Sequence, residues 1–408
     1  MEIEQVRALF PGLDAQVYGK PLVYFDNAAT SQRPLSVVRA FEESSLHANA
    51  NLHRAVHCLA ETATRAYEDT RDAVRAFIGA AHREEIIFTA GTTAAVNLLA
   101  FSFGEAFVGE GDEIIVTEAE HHSNLVPWQL LCLRKKAVLK VLPVDDSGHL
   151  RVDLLPALLT DRTRLLAVAQ VSNVLGLAAP LPQIIRAAHA RGCAVFVDGA
   201  QGIVHDGVDV QALDCDFYAF SGHKMYAATG TGVLYGKKKW LEAMPPYQSG
   251  GEMIGTVRWD GTTFAPLPAK FEAGTQNING VPTLVPAIEM FRLLSDGALR
   301  EYAGRVSDRL AEGLAARGDI HLYGTPSAPG EKIPLYSFTV EGVHHEDLAL
   351  VLDKMGFAVR SGQMCAEPLM DRFGVTGMVR VSLLPYNTME EVERFLDALD
   401  VAVTMLRG

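Results

Sequence analysis

The middle of the chain alternates continuous apolar runs with longer segments whose apolar residues recur at helical spacing. Continuous apolar runs predict strands that are buried on both faces, and intervening helices of roughly 10–15 residues predict that the strands pair in parallel. One such helix is expected over residues 181–191, where Ile184, Ile185 and Ala188 share a face and Gly192 follows. The strands predicted for this sheet cover residues 113–117, 140–143, 164–171, 194–197, 216–220 and 232–235.

The pattern changes after about residue 296. Helical spacing recurs over residues 297–317 and 345–355. A last helix is expected over residues 388–406, because Thr388 and Glu391 have the spacing of a capping box ahead of an apolar face. The short strands predicted between these helices cover residues 335–340, 357–359 and 378–382.

This change of pattern predicts two domains. The first is a large α/β domain with a mostly parallel central sheet over residues 20–295. The second is a smaller α+β domain over residues 296–408, and residues 1–19 are expected to pack on it.

Composition narrows the class of protein. The 408 residues are 49% hydrophobic and 21% charged, which is typical of a globular protein with a sizeable core. The net charge of −13 argues against nucleic acid and anionic membranes as partners, because both attract cationic surfaces. No apolar run approaches the roughly 18 residues of a membrane helix. The acidic start of the chain is unlike a signal peptide, so we expect a cytoplasmic protein.

The number and spacing of the cysteines indicate a reducing compartment. There are five, which is an odd number, and no two lie close enough in sequence for a CxxC motif. The His121-His122 doublet has no further ligands at typical spacing, so no metal site is predicted. Cys365 lies in a turn-prone segment and is considered separately below. The remaining cysteines are expected to be packing residues in the core: Cys58, Cys132, Cys193 and Cys215.

A lysine and an aspartate follow two of the predicted strands. Lys224 comes shortly after residues 216–220, and Asp198 directly follows residues 194–197. Carboxyl ends of parallel strands form one edge of a sheet, so the two side chains can meet at one ligand. A Schiff-base lysine with an aspartate at the pyridine nitrogen is what pyridoxal 5′-phosphate requires. Residues 91–93, Gly-Thr-Thr, precede a predicted helix and could bind its phosphate, although they would equally suit a plain helix cap.

A series of short motifs runs in order along nearly the whole chain. They cover residues 26–30, 51–54, 91–93, 120–124, 171–176, 197–201, 216–224, 271–275, 360–368, 380–382 and 385–387. Together they resemble the motifs of group II (SufS/CsdA-type) cysteine desulfurases, which are pyridoxal-phosphate-dependent enzymes of the class V aminotransferase fold. The resemblance implies an aspartate-aminotransferase-like, fold type I architecture and a homodimer.

The resemblance also implies roles around the coenzyme. Lys224 would form the Schiff base and later move the Cα proton, and Asp198 would pair with the pyridinium nitrogen. Gln201 would contact the ring hydroxyl. His121 would stack on the ring face and take part in proton transfer. The remaining coenzyme contacts would come from Thr92, Thr93, Asn173, Ser221 and His223, and from the partner subunit's Thr275.

Further roles concern the substrate, L-cysteine, with L-selenocysteine as the alternative. Arg380 would bind its carboxylate with a planar guanidinium fork, and Arg360 would add a second cationic contact. From the sequence alone, each arginine could equally form a surface ion pair. Ala28 and Asn173 would lie beside the substrate. Cys365 would take the sulfur as a persulfide and pass it to a SufE-like acceptor protein for iron–sulfur cluster assembly.

The chain departs from the family pattern at several positions. Ala90 and Ala94 replace an arginine and a glutamate, and Ala227 and Ala228 replace a Gly-Pro pair, which is expected to loosen a turn. Met364 replaces a histidine before the nucleophile. The alternatives are a selenocysteine lyase or another lyase or epimerase of the same fold. A non-enzymatic scaffold of a sulfur pathway is disfavoured by the intact lysine, aspartate, cysteine and arginine.

Overall fold

The computed structural model describes residues 2–53 and 56–408, so Arg54 of the 51–54 motif lies outside the described residues. Across these residues, no helix is long and apolar enough to cross a membrane. The helices are α1 (Ile3–Arg7), α2 (Leu35–His47), α3 (Cys58–Phe77), α4 (Thr92–Phe107), α5 (Val126–Lys135), α6 (Leu155–Leu158), α7 (Leu181–His189), α8 (Val210–Leu213), α9 (Lys238–Ala243), α10 (Leu284–Leu294), α11 (Gly297–Ala315), α12 (His345–Lys354), α13 (Glu367–Phe373) and α14 (Met389–Arg407). The strands are β1 (Gln16–Val17), β2 (Lys20–Pro21), β3 (Val23–Tyr24), β4 (Ile86–Thr89), β5 (Glu113–Thr117), β6 (Val138–Leu142), β7 (Thr163–Ala169), β8 (Ala194–Asp198), β9 (Phe217–Ser221), β10 (Gly232–Gly236), β11 (Ile254–Arg258), β12 (Gly261–Phe264), β13 (Ile320–Tyr323), β14 (Leu335–Val340), β15 (Phe357–Ala358), β16 (Arg360–Gly362) and β17 (Met378–Ser382).

Seven strands of the described chain form the central sheet, in the order β4-β10-β9-β8-β7-β5-β6. Neighbours from β9 to β6 pair in parallel, whereas β10 is antiparallel to both β9 and β4. The connection from Gly222 to Thr231 explains this reversal, because a parallel crossover needs about a dozen or more residues. The predicted α/β fold with a mostly parallel central sheet is confirmed.

Alternate side chains of the central strands enter two separate hydrophobic cores. In β8, Val195 and Val197 join the cluster that contains the apolar face of α7. Ala194 and Phe196 join the cluster that contains α4 and α5. Side chains along a strand point alternately to its two faces, so helices cover both sides of the sheet. The carboxyl ends of the strands are left as an open edge, on which polar groups can meet.

The C-terminal part of the chain forms a four-stranded antiparallel sheet within the described residues, in the order β13-β14-β17-β16. Side chains of α11, α12 and α14 pack on it in a third cluster. As the sequence predicts, Thr388 and Glu391 form a capping box at the start of α14. The role of this sheet in the site is to bring β16 and β17 against the open edge of the central sheet.

The N-terminal residues contact both predicted domains. Phe10 packs against the ring of Tyr226 in the larger one, whereas Arg7 pairs with Glu391 in the smaller one at 2.9 Å. A few residues later, β3 pairs in parallel with β15. The start of the chain therefore joins the two parts, and the predicted division after residue 295 stays a prediction.

Candidate active site

A cavity opens at the carboxyl ends of β7, β8 and β9. Its walls include Ala169, Asp198 and Ser221 from those strand ends, and Arg360 and Arg380 from β16 and β17. Small-molecule sites of open α/β sheets lie at this edge. The predicted site residues that line it are Ala28, Thr92, Thr93, His121, Asn173, Asp198, Gln201, Ser221, His223, Lys224, Arg360, Cys365 and Arg380.

Lys224 ends a short 3-10 turn, Gly222–Lys224, directly after β9. Burial lowers the pKa of its amine from 10.5 to about 8, with a further decrease from Arg380 and opposing increases from Asp198 and Cys365. At pH 7, roughly one amine in ten is unprotonated at a pKa of 8, against roughly one in three thousand at the ordinary value. The site therefore supplies a nucleophilic amine near neutral pH.

Asp198 is the last residue of β8, and only 6% of its surface is exposed. The backbone amide of Ala200 donates to its Oδ1 at 2.9 Å. Burial raises the pKa of this carboxyl, and the Lys224 charge opposes the increase. Gln201 is fixed beside it by a 2.8 Å hydrogen bond from its amide to the Ala28 carbonyl oxygen. A buried carboxylate of this kind is stabilised by a ligand that brings a protonated ring nitrogen.

The other end of the cavity lies at the N-terminus of α4. Gly91 precedes this helix with a φ of 145°, and a Cβ atom on Gly232 would lie 2.4 Å from its Cα. Only glycines allow β10 to approach the helix so closely. Ser221 Oγ accepts a hydrogen bond from the Thr92 amide and lies 2.9 Å from Thr92 Oγ1. Hydroxyls around a helix N-terminus form an anion site, and they fit a phosphate.

Thr93 and His223 complete this anion end. The Thr93 hydroxyl lies 2.7 Å from Ser123 Oγ, and His223 Nδ1 lies 3.2 Å from Thr30 Oγ1. Burial lowers the pKa of His223 to about 4, with smaller contributions from the charges of Lys224 and Arg33. Its ring is therefore neutral at physiological pH, and it would contribute a hydrogen bond rather than a charge.

His121 precedes a 3-10 turn, His122–Asn124, and its Nδ1 accepts a hydrogen bond from the Ser123 amide at 3.0 Å. Burial lowers the pKa of His121 to about 4, and the Lys224 charge lowers it further. The imidazole is therefore neutral near pH 7. A neutral ring can lie against an aromatic ligand and exchange a proton.

Glu120 lies buried beneath this turn and was given no role by the sequence. Its carboxyl accepts hydrogen bonds from the Thr117 hydroxyl and the Asn124 amide, both at 2.6 Å, and from the Ala169 backbone at 2.9 Å. Burial raises the pKa of Glu120 to about 8. These contacts tie the end of β5 to the end of β7 and fix the turn that carries His121.

Arg380 and Arg360 face each other across β17 and β16. Arg380 is buried, and its Nη1 donates to the Asn173 carbonyl oxygen at 2.8 Å. Asp26 contacts both guanidinium groups, with Oδ1 3.3 Å from Arg380 Nη2 and Oδ2 3.9 Å from Arg360 Nη1. Among the described residues, Arg380 Nε has no hydrogen-bond partner. The two guanidinium groups carry more positive charge than Asp26 neutralises, and one N–H of Arg380 has no partner. This arrangement fits a ligand that carries a carboxylate.

Cys365 lies between β16 and α13, exposed at the cavity. Met364 and Cys365 both adopt left-handed backbone conformations, with φ of 54° and 55°. The Asn173 side-chain amide donates to the Met364 carbonyl oxygen at 2.8 Å. The Met364 side chain is buried in an apolar cluster with Val174 and Leu175. The thiol is therefore carried on a short loop that is fixed on its N-terminal side.

The other cysteines divide into buried and exposed ones. Cys132, Cys193 and Cys215 are buried as predicted, and burial raises the pKa of Cys132 to about 11 and that of Cys193 to about 12. Cys58 is exposed at the start of α3, so the prediction that it packs in the core is wrong. Cys365 is the exposed cysteine that lines the cavity with Lys224.

Comparison with known proteins places the chain in a family. The model of the class-V aminotransferases matches residues 23–395. The chain belongs to this family. A probable cysteine desulfurase of Vibrio cholerae serotype O1 is 45% identical over 407 residues, which cover all of both chains. Two solved structures match 99% of this chain and 99% of their own. The crystal structure of the cysteine desulfurase CsdA of Escherichia coli has a TM-score of 0.90 and 40% sequence identity. The apo structure of a cysteine desulfurase of Thermococcus onnurineus NA1 has a TM-score of 0.92 and 38% sequence identity. The resemblance to cysteine desulfurases is confirmed.

One predicted coenzyme contact of this class-V aminotransferase lies outside the cavity. Thr275 is exposed and lines a separate cavity with Tyr67 and Tyr247. Ala90 and Ala94, where the family pattern has an arginine and a glutamate, line the same second cavity. The contribution of the partner subunit's Thr275 to the site stays a prediction.

A further departure from the family pattern lies in the turn after Lys224. The Ala227 amide donates to the Gly222 carbonyl oxygen at 2.9 Å. The Ala228 amide donates to Thr283 Oγ1 at 3.1 Å, a bond that a proline at this position could not make. The lost rigidity of proline is thus offset by an additional hydrogen bond.

Proposed function

We propose that this protein is a pyridoxal 5′-phosphate-dependent cysteine desulfurase that converts L-cysteine to L-alanine and carries the sulfur as a persulfide on Cys365. The observation that carries the proposal is that Lys224, Cys365 and Arg380 line one cavity. They supply an amine for the coenzyme, a thiol for the sulfur and a guanidinium for an amino-acid carboxylate. Full-length similarity to a probable cysteine desulfurase supports the same activity.

The two ends of the cavity fit the two ends of the coenzyme. Thr92, Thr93 and Ser221 at the helix N-terminus suit its phosphate, and the buried Asp198 suits its protonated ring nitrogen. When bound, pyridoxal 5′-phosphate supplies an electron sink that acidifies the Cα–H bond of an amino acid. The Lys224 amine would hold the coenzyme covalently.

The chain's own residues then bind the substrate and move its proton. Arg380 binds the α-carboxylate through its unpartnered Nε and remaining N–H groups, and Asp26 keeps both arginines in place. Because burial keeps the pKa of Lys224 near 8, its amine can accept the Cα proton near neutral pH. The neutral His121 ring, which lines the cavity, would lie against the coenzyme and exclude water from that face.

Cys365 is the nucleophile that takes the sulfur from the substrate. Its thiolate attacks the γ-sulfur of the bound cysteine, so that an S–S bond forms while the Cβ–S bond breaks. The electron pair of the broken bond stays on the carbon skeleton, which takes up a proton and leaves as alanine. L-cysteine and the Cys365 thiol thus give L-alanine and a Cys365 persulfide. Arg360 and Arg380 line the same cavity as the Cys365 thiol.

Coenzyme-loaded protein with L-cysteine and dithiothreitol is expected to form alanine and sulfide in equal amounts, because the reductant releases sulfide and regenerates the thiol. Both products are measured over time. Loaded protein that forms neither, even with a SufE-like acceptor present, would contradict the proposal. A parallel reaction with L-selenocysteine tests the selenocysteine lyase alternative, which faster alanine formation from the selenium substrate would favour.

Arg380→Lys is expected to raise the KM for L-cysteine by about 10–100-fold with a smaller effect on kcat, because an ammonium cannot make the bidentate contact of a guanidinium. Steady-state kinetics measure both constants, and a thermal unfolding curve checks that the buried substitution leaves the protein folded. Arg360→Lys is the comparison variant, because Arg360 lines the same cavity. If it raised KM and Arg380→Lys did not, the carboxylate contact would belong to Arg360.

We infer that the protein acts as a cytoplasmic homodimer, with the domain division after residue 295. Within a single chain, α2 exposes Val38, Phe41 and Leu46, and apolar patches of this kind are covered on association. The predicted use of the partner subunit's Thr275 in each site requires the same assembly. Light scattering on the purified protein measures its mass in solution, and a monomeric mass at working concentration would argue against the homodimer.

We also propose that the Cys365 persulfide passes its sulfur to a SufE-like acceptor protein for iron–sulfur cluster assembly. The Cys365 loop is short and fixed, so a persulfide on it cannot travel far from the cavity. An acceptor thiol must therefore approach the exposed Cys365. Transfer of the sulfur to an acceptor cysteine, followed by mass spectrometry, is the direct measurement.

A further inference from the structure

His122 contacts the Cys365 loop at two points. Its backbone amide donates to the Cys365 carbonyl oxygen at 2.7 Å. Its ring Nε2 accepts a hydrogen bond from the Glu367 backbone amide at 3.1 Å. Glu367 is the first residue of α13, so one residue holds both the nucleophile and the start of the helix that follows it.

The loop needs such support because of its backbone. Met364 and Cys365 are consecutive non-glycine residues in the left-handed region. L-residues visit this region rarely, and two in succession persist only where surrounding contacts determine them. Asn173 holds the loop before Cys365 through the Met364 carbonyl oxygen, and His122 holds it after.

The turn that carries His122 is itself anchored in the large domain's core. Asn124 receives a hydrogen bond from the Trp128 indole at 2.9 Å and donates to Glu120 at 2.6 Å, and all three side chains are buried. His121 on the same turn faces the cavity with Lys224, whereas His122 faces the Cys365 loop. The doublet thus connects the coenzyme side of the site to the sulfur side.

We propose that His122 is a positioning residue for the Cys365 thiol, which its ring keeps at the cavity by accepting the Glu367 amide. This inference rests on the proposed desulfurase function. An accepting Nε2 must be unprotonated, so the ring proton lies on Nδ1. The loss of the ring contact frees the loop without touching coenzyme or substrate. It should therefore slow the sulfur step alone.

Two variants distinguish the hydrogen bond that the His122 ring accepts from the space that the ring fills. His122→Gln keeps an acceptor oxygen at similar reach, and His122→Leu removes the acceptor; the backbone contact to Cys365 remains in both. For His122→Leu we expect kcat and single-turnover persulfide formation to fall by on the order of 10²-fold, since a small misplacement of a reacting group costs that much. The KM for L-cysteine and the absorption of the bound coenzyme should stay unchanged. His122→Gln should return to within a few-fold of the parental rate.

His344→Leu is the matched control. His344 is exposed, and its ring likewise accepts an amide at a helix start, from Glu346 at 3.4 Å in α12. This variant should leave kcat unchanged. Parental persulfide formation in His122→Leu, or a His122→Gln variant as slow as His122→Leu, would overturn the proposal.

Hydrogen exchange of residues 363–370 gives a readout that does not depend on desulfurase activity. Exchange should be faster in His122→Leu and near parental in His122→Gln. Unchanged exchange in His122→Leu would show that the ring does not hold the loop, and the proposal would fail. If the parental enzyme formed no alanine, the proposed function would fail instead, and the exchange result would still decide whether His122 fixes the loop.

Discussion

Lys224→Ala is expected to remove the visible absorption that depends on the coenzyme's bond to the Lys224 amine, and to abolish alanine formation. The loss should exceed roughly 10³-fold, because the residue supplies both the covalent attachment and the proton transfer, and positioned acid–base groups alone contribute about 10²–10⁴-fold. An absorption spectrum of the variant after incubation with pyridoxal 5′-phosphate, and an alanine assay, measure the two effects.

The fold should survive this substitution, because an alanine in place of the half-buried Lys224 removes an ammonium that is costly to desolvate. Thermal unfolding of the coenzyme-free proteins checks this expectation. Lys239→Ala provides the control, since its side chain is 67% exposed and lies outside the cavity. An unchanged spectrum in Lys224→Ala would refute the assignment of the coenzyme lysine.

Cys365→Ser is expected to separate coenzyme chemistry from sulfur transfer. The variant should keep the coenzyme absorption of the parental protein but form no persulfide, because a serine hydroxyl is not ionised at neutral pH and is a poor nucleophile toward sulfur. Alanine formation should fall by at least about 10²-fold, as expected for loss of a covalent nucleophile. Mass spectrometry of the protein after a single turnover detects the added sulfur atom.

Cys58→Ser is the matched control for this prediction, because Cys58 is also exposed but does not line the cavity. It should accept sulfur on Cys365 at the parental rate. Sulfide release at the parental rate by Cys365→Ser, or loss of persulfide in Cys58→Ser, would show that the nucleophile is misassigned.

Strands could be predicted where the apolar run is continuous and buried. Residues 113–117 coincide with β5, and β8 extends the predicted 194–197 by Asp198 alone. At the sheet edge, β6 starts at Val138, two residues before the predicted 140–143, because exposed positions of an edge strand break the apolar pattern. The antiparallel direction of β10 could not be read from apolar spacing, since direction depends on the connection.

Site residues could be predicted where a reactive residue type follows a predicted strand, because strand ends meet at the ligand-binding edge of the sheet. Lys224 and Asp198 are of this kind, and both line the cavity. Asp26, Glu120 and His122 lie in the predicted motifs, but the sequence alone assigned them no role in the site. Their contacts are with distant groups: two guanidiniums of the C-terminal sheet, the amide of residue 169 and the backbone around Cys365. A single sequence gives no signal for such long-range hydrogen bonds.

The pairing of β3 with β15 has a consequence for how the chain becomes active during synthesis. Val23 and Tyr24 leave the ribosome early, but their partner strand emerges only when Phe357 does. By that point the chain already contains the coenzyme residues up to Lys224. Cys365 and Arg380 follow Phe357 within the next two dozen residues. Cys365 and Arg380 are thus synthesised only after both strands of the β3–β15 pair.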